Sequence, residues 1–168
     1  MIKMTQEEVN EAIRLHELLL ERNPSGKRAD FRCKDLSGLG LSDADLRHAN
    51  LSGAKLILAN LRDVDLRGAD FTDADLSNAN FINADLRHAN LSGAKLFLAN
   101  LKDVDLKGAD FTDANLSYAY LNGANLSSAN LSFTNLRDAD YRGSRWYNAT
   151  YNSKTIFPDF RTNMIYKD

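Results

Sequence analysis

A spacing of five residues between large apolar side chains constrains the fold of this chain more than any other feature. From Phe31 to Tyr151, every fifth residue is Leu, Phe, Tyr or Trp. Two residues earlier stands Ala at most positions, with Val64 and Val104 as conservative replacements. A helix repeats every 3.6 residues and a strand every 2, so neither keeps such a series on one face. The spacing therefore predicts a chain that bends once in every five residues.

Such a chain closes into coils whose large residues and alanines point inward, while the other three residues of each unit point outward. Stacked coils of this kind pair backbone to backbone at a spacing of about 4.8 Å. Gly, Asn, Asp and Ser are common at the outward positions and suit repeated turns. The pattern therefore predicts a filled solenoid with a polar exterior.

The units Ala-Asp-Leu-Arg-His, Ala-Asn-Leu-Ser-Gly and Ala-Asp-Phe-Thr-Asp resemble the A(D/N)LXX motif of the pentapeptide-repeat family. The resemblance covers about three quarters of the chain, in roughly twenty-five tandem units. It implies an all-β solenoid, a right-handed quadrilateral β-helix with four pentapeptides to a coil. Residues 45–76 recur almost unchanged as 85–116, an offset of forty residues. In the implied fold, each of these residues lies two coils from its copy on the same face.

The sequence divides into three segments of one structural domain. Residues 1–28 are predicted to form an N-terminal helical cap, because Thr5 and Glu8 form a capping box and an apolar stripe follows at helical spacing. That stripe consists of Val9, Ala12, Ile13, His16 and Leu20. Residues 29–151 form the predicted β-helix, and residues 152–168 a C-terminal cap segment. Caps are expected because an open solenoid end exposes apolar side chains and unpaired backbone.

One side of the predicted coil, called the second face, carries apolar residues where polar ones are expected. Its inward residues are Leu36, Leu56, Leu76, Leu96, Leu116 and Leu136. Its outward positions include Ile57, Leu58, Phe97, Leu98 and Tyr118, flanked by Lys55 and Lys95. Contiguous exposed apolar residues mark interaction sites, although they also occur under a cap or as surface decoration. These seven residues, called the apolar patch, are the candidate interaction surface for an unidentified protein partner or for weak self-association of a monomer.

The fourth face carries stacked charges. Asp45, Asp65, Asp85 and Asp105 stand beside Arg47, Arg67, Arg87 and Lys107. These residues are either a charge-balanced exposed ladder, with each pair worth at most about 1 kcal/mol, or a site for a charged partner.

His48 and His88 lie two coils apart, about 10 Å, which is too far for a shared zinc ion. Neither they nor Cys33 belongs to a ligand or catalytic motif, so we expect no enzyme activity, metal or cofactor.

Two functions are consistent with these features. The first is a non-catalytic structural or protein-interaction scaffold. The alternative comes from the resemblance, since some family members that protect gyrase from quinolones are acidic, DNA-mimicking rods that bind this type II topoisomerase. Here the charges are interleaved and the net charge is only −2, which disfavours mimicry and also direct nucleic-acid binding.

The expected location follows from the hydropathy. The first residues lack the apolar centre of a signal peptide, and the sequence has no run of about eighteen apolar residues. We therefore expect a soluble protein of the cytoplasm, without a membrane partner, and the family resemblance implies a bacterial source.

Overall fold

The structure, a computed structural model, describes residues 1–158. Its named elements are β1 (Ile2–Lys3), α1 (Gln6–Leu20) and β2 (Lys34–Asp35), with β1 and β2 paired in parallel. From Asp30 onward, each five-residue unit contributes a turn and then one bridging residue. The walls of the solenoid are therefore ladders of single paired residues, because the chain turns a corner before a strand can lengthen.

Parallel bridges join residues that lie twenty apart. Asp45 pairs with Asp65, and the series runs without a break from Asp30–Asn50 to Asn130–Thr150. Along one wall, the Leu46 amide donates to the Asp65 carbonyl at 2.8 Å, and the Asp65 amide donates to the Ala44 carbonyl at 3.0 Å. Twenty residues make four pentapeptides, so four units form one coil, as the sequence predicts.

A tight turn forms each corner of the coil. At one corner, the Ala49 amide donates to the Leu46 carbonyl at 3.0 Å, and His48 between them has a φ of 60°. A positive φ at the third position of a four-residue turn is the type II geometry, which favours Gly or Asn there. The sequence supplies Gly53 and Asn78 at equivalent positions.

The interior is filled by the residues that the five-residue spacing selects. The large apolar residues from Phe31 to Leu136 are all buried, and most of the alanines between them are buried as well. The rings of Phe71 and Phe81 meet edge to face, with centroids 6.3 Å apart. Towards the C-terminal end, Tyr141 and Trp146 are only half-buried. The lumen is therefore a packed core, and the inward and outward assignments are confirmed.

Helix α1 begins with the predicted capping box. The Glu8 amide donates to Thr5 Oγ1 at 3.2 Å, and the Thr5 amide donates to Glu8 Oε2 at 2.8 Å. Val9 is buried, and Ala12 and Ile13 pack against the core of the solenoid. The apolar stripe therefore faces the first coil, which is the packing that a capping role requires.

His16 is the polar member of this stripe, and it is buried against the first coil. Its Nδ1 accepts from the Ala29 amide at 3.1 Å, so its Nε2 carries the proton that is donated to the Arg47 carbonyl at 2.9 Å. Burial lowers the pKa of His16, and Arg28 lowers it further; the bond to the Arg47 carbonyl and the charges of Asp45 and Glu17 act in the opposite direction. The helix is thus bound to the coil through a neutral imidazole.

The predicted C-terminal segment is described only in part, since residues 159–168 lie outside the described residues. Ile156 continues the ladder: it pairs with Asn135, and its amide donates to the Thr134 carbonyl at 2.9 Å. The Phe157 ring lies 5.2 Å from Tyr151 and 6.4 Å from Trp146, centroid to centroid. The described part of the segment therefore packs on the last coil, while the boundaries at residues 28 and 151 stay predictions.

A candidate interaction surface on the second face

The ladder places all seven residues of the apolar patch on one wall. Lys55 and Lys95 belong to a continuous column of bridges that runs through Asp35, Lys55, Asp75, Lys95, Asn115 and Asn135. Ile57 and Phe97 directly follow the inward leucines, and Leu58, Leu98 and Tyr118 occupy the corner position after that. Ser77 and Asn78 separate the pair Ile57 and Leu58 from the cluster formed by the other three apolar residues.

These side chains are accessible, and two of them contact each other. The exposed fraction is 67% for Leu58, 47% for Tyr118 and 39% for Phe97, whereas Ile57 and Leu98 are half-buried. The Phe97 and Tyr118 rings meet edge to face at 5.7 Å between centroids, a favourable aromatic geometry. The structure thus brings Phe97, Leu98 and Tyr118 together from adjacent coils and leaves them uncovered by any of residues 1–158.

The corner positions of the patch are conformationally unfavourable for the residues that occupy them. Leu58, Leu98 and Tyr118 have φ values of 60°, 56° and 59°. The left-handed region costs an L-residue with a side chain of this kind about 1–2 kcal/mol. The neighbouring corners of the same column hold Gly38 and Asn78 instead, which adopt this conformation readily. Three bulky side chains on one column are therefore held against the local preference of the backbone, as is common at functional sites.

The two lysines add positive charge to the patch. Lys55 and Lys95 are exposed, and their ammonium groups make no hydrogen bond or ion pair within residues 1–158. Asp75 lies between them, and its Oδ1 accepts from the Ser77 hydroxyl at 2.7 Å. Hydrogen bonds from Ser37 lower the pKa of Asp35, and the charges of Lys3 and Lys55 lower it further. The patch therefore combines apolar surface with two available cations.

Sequence reasoning missed Tyr120, which extends the surface around the next corner. It is 48% exposed and lies on the third face, where its backbone pairs with Asn100 and Asp140. The position before each inward residue is usually Asp or Asn, so an aromatic residue there was the available signal. Together, Tyr118 and Tyr120 give this corner two exposed phenol rings.

The charges of the fourth face form a continuous ladder. Arg67 lies 2.6 Å from Asp65 in its own coil and 3.6 Å from Asp85 in the next, and Arg47 and Arg87 repeat this arrangement. A hydrogen bond to Asp65 raises the pKa of Arg67. Partial burial acts to raise the pKa of Asp65, but hydrogen bonds from Arg67 outweigh it and the net pKa is lowered. These arginines and aspartates therefore satisfy one another, which is the geometry of a charge-balanced ladder.

The histidines of the fourth face have a packing role. His48 and His88 are exposed corner residues, and each ring lies over a glycine of the next coil. A Cβ added at Gly68 would lie 2.6 Å from His48 Nδ1, and one at Gly108 would lie 2.6 Å from His88 Nδ1.

Cys33 is exposed and unpaired. Among residues 1–158, no three His, Cys, Asp or Glu side chains come together in a way that could hold a metal ion.

A lumen filled with leucine and alanine, enclosed by four ladders of parallel bridges, defines the protein as a quadrilateral β-solenoid. A family model described as pentapeptide repeats matches the sequence in 8 copies, over residues 41–78, 65–103, 74–113 and 105–143. The chain belongs to the pentapeptide-repeat family, whose β-helix is right-handed. No helix within residues 1–158 has the length and apolar character needed to cross a membrane.

The solved structures similar to this chain include the following three. A pentapeptide repeat protein from Nostoc PCC 7120 is 34% identical, with 69% of this chain and 75% of that chain covered and a TM-score of 0.40. HetL from Nostoc sp. strain PCC 7120, which is involved in heterocyst differentiation regulation, is 38% identical over 73% of this chain, with a TM-score of 0.32. A protein of the Arabidopsis thaliana thylakoid lumen is 28% identical over 66% of this chain, with a TM-score of 0.45. The chain spans 61% of HetL and 66% of the Arabidopsis protein. No curated protein matches the sequence.

Proposed function

We propose that this protein is a rigid, non-catalytic scaffold that binds a protein partner through the apolar patch of its second face. The observation that carries the proposal is the occupation of three left-handed corner positions by Leu58, Leu98 and Tyr118. Each corner would be more stable with Gly or Asn. Three residues of one column thus lower the stability of the fold while they place apolar side chains on its outer surface. This combination supports selection for binding.

The patch is well suited to binding because its side chains are held in place before a partner arrives. Parallel bridges lie on both sides of Lys95, to Asp75 and to Asn115, and the Phe97 and Tyr118 rings support each other. Side chains that are already ordered lose less conformational entropy on association. Aromatic residues at the centre of an interface supply a large part of its binding energy.

The charge of the patch defines the chemistry of the partner. Lys55 and Lys95 are unpaired within residues 1–158 and lie two coils apart, about 10 Å. A complementary surface presents apolar side chains between Asp or Glu residues with a similar spacing. Oppositely charged groups at the edge of an interface chiefly speed association and select the partner.

Helix α1 and the segment from residue 152 onward act in this proposal as caps that keep the scaffold monomeric. The burial of Val9 and His16 against the first coil supports this role for the helix, as does the packing of Phe157 for the C-terminal segment. In this proposal the second face, and not either end of the solenoid, is the surface for association.

The proposal is tested by capturing binding partners from native cells and by then exchanging the charges of a contacting pair. The wild-type chain, Leu58→Glu, Phe97→Glu and Lys95→Glu are used as baits, and captured proteins are identified by mass spectrometry. We expect one protein to be lost with all three variants and kept with Ile82→Glu, a control that introduces the same charge at an apolar, half-buried outward position of the third face. Substituting an acidic residue of that partner with Lys should restore binding to Lys95→Glu.

Two outcomes would overturn the proposal. One is capture of the same proteins by Leu58→Glu and Phe97→Glu as by the wild type. The other is a dimer in sedimentation analysis that Phe97→Glu dissociates, since the second face would then bind another copy of this chain.

The alternative prediction, a DNA mimic that binds gyrase, stays a prediction; the Asp–Arg pairing on the fourth face disfavours it. The cytoplasmic location also stays a prediction.

A further inference from the structure

A groove on the fourth face, near the C-terminal end of the solenoid, has no role in the proposed function. Its volume is about 320 Å³, within the range of small-molecule sites. It is lined by Lys107, Asn125, Ser127, Ser128, Arg145 and Tyr147. The backbone bridges Asp105–Asn125 and Asn125–Arg145 place these residues in three successive coils.

The groove lies where the charge ladder changes composition. In the earlier coils an aspartate precedes each inward leucine, and an arginine or, at position 107, a lysine follows it. In the last two coils the aspartate is replaced by Asn125 and then by Arg145, and the following residue becomes Ser127 and then Tyr147. Carboxylates are therefore lost from this end of the wall while basic groups are kept.

The two cations of the groove lack the partners that their counterparts have. Arg67 and Arg87 each bind an aspartate at 2.6 Å, whereas the Lys107 ammonium and the Arg145 guanidinium make no hydrogen bond or ion pair within residues 1–158. The nearest carboxylate of the ladder, Asp105, already accepts from Asn125 Nδ2 at 3.0 Å and lies 3.8 Å from Arg87 Nε. Both cations are thus available to an anion.

The remaining lining groups suit an oxyanion. The hydroxyls of Ser127, Ser128 and Tyr147 have no partner within residues 1–158, so each can donate a hydrogen bond. A guanidinium binds phosphate oxygens in a bidentate manner, and an ammonium adds a point charge. Lys107 and Arg145 stand two coils apart along the wall, about 10 Å, a gap that two long side chains can close around a tetrahedral anion.

We propose that this groove binds the phosphoryl group of a small phosphorylated molecule. Lys107 and Arg145 bind the phosphoryl oxygens from opposite sides, and the serine hydroxyls complete their coordination. The Tyr147 side chain, in a residue that is 76% exposed, provides an aromatic surface for the organic part of the ligand. The site does not depend on the apolar patch, which lies on a different wall.

The proposal is tested by NMR titrations of the full chain, one with phenyl phosphate and one with inorganic phosphate. A titration with chloride at equal ionic strength is the control. We expect saturable shifts confined to the amides of the groove residues. The double variant Lys107→Gln/Arg145→Gln should weaken binding by about tenfold or more, since hydrogen bonds to charged groups are worth about 1.5–3 kcal/mol. Lys102→Gln removes an exposed lysine of the third face, outside the groove, and should bind like the wild type.

The relative affinity of the two probes identifies the source of the phosphoryl group. Tighter binding of phenyl phosphate, reduced by Tyr147→Ala, assigns the groove to a phosphate ester, whereas equal affinities assign it to free phosphate and still support an oxyanion site. Shifts that spread over all lysines and arginines would overturn the proposal. So would an affinity that Lys107→Gln/Arg145→Gln leaves unchanged.

Discussion

Replacing Leu58 by Asn should stabilise the protein, although it removes an apolar side chain. Leu58 has a φ of 60° and is 67% exposed. Asn is enriched in the left-handed region, and Asn78 already occupies the same corner in the next coil with a φ of 57°. The substitution therefore relieves backbone strain and removes little buried surface.

The two contributions differ in size. Relief of the left-handed conformation is worth about 1–2 kcal/mol. Complete burial of a leucine is worth about 1.5–3 kcal/mol, and since about a third of Leu58 is covered, its loss costs about 0.5–1 kcal/mol. The net gain is about 0.5–1 kcal/mol, which corresponds to a rise of about 1–4 °C in Tm for a chain of this length.

Calorimetry and urea denaturation of the wild type, Leu58→Asn and Leu58→Ala measure this gain. Asn is tolerated in the left-handed region because its short polar side chain can hydrogen-bond to the nearby backbone. Ala has the same Cβ but no such polar group, so Leu58→Ala should show no increase in stability. If Leu58→Asn is less stable than the wild type, or if the Ala variant gains as much as the Asn variant, the strain argument is wrong. In the capture experiment, Leu58→Asn should bind the partner more weakly, because stability and binding oppose each other at this corner.

Two further predictions concern the core and the N-terminal helix. Leu86→Ala should lower the free energy of unfolding by about 2–5 kcal/mol because it leaves a cavity in the packed lumen, whereas Ile82→Ala on the half-buried outer surface should cost less; urea denaturation measures both. For His16, the pKa is lowered in the folded protein, so its contribution to helix docking is complete above the usual value of 6.5 and is lost as the pH falls below it. Hydrogen exchange of the α1 amides between about pH 7.5 and 5 should show this loss, and His16→Gln, whose side-chain amide can both donate and accept, should abolish it; equal protection of the wild type at both pH values would contradict it.

Much of the fold could be predicted because the repeat links local and long-range order. An inward leucine at every fifth residue requires a corner in every unit, and four corners return the chain above its start. Leu86 could therefore be assigned to the core, and Phe97 to the surface, from the sequence alone. The capping box of Thr5 and Glu8 was equally predictable, since it depends on residues three apart.

Features that depend on residues unrelated by the repeat could not be predicted. The pairing of Ile2–Lys3 with Lys34–Asp35 and the bonds of His16 to Ala29 and Arg47 join the N-terminal segment to a coil that it does not resemble. For Tyr120 the repeat gave the position, and only the structure showed that its exposed side chain lies beside Tyr118 at the corner between two faces.

The amino-acid sequence alone determined the coil, the filling of its lumen and the wall to which each side chain belongs, because a five-residue period sets the direction of every residue relative to its neighbours. The tertiary structure decided how the two ends are covered and which outward side chains are strained, paired or free. Leu58 and Asn78 occupy equivalent positions in the repeat, as do Arg67 and Lys107, yet they differ in strain and in ion pairing. The corner has nearly the same φ at both residues, 60° and 57°, so its geometry strains Leu58 but suits Asn78. The pairing of Arg67 depends on its 2.6 Å distance to Asp65. A one-dimensional period contains neither the corner angle nor this distance.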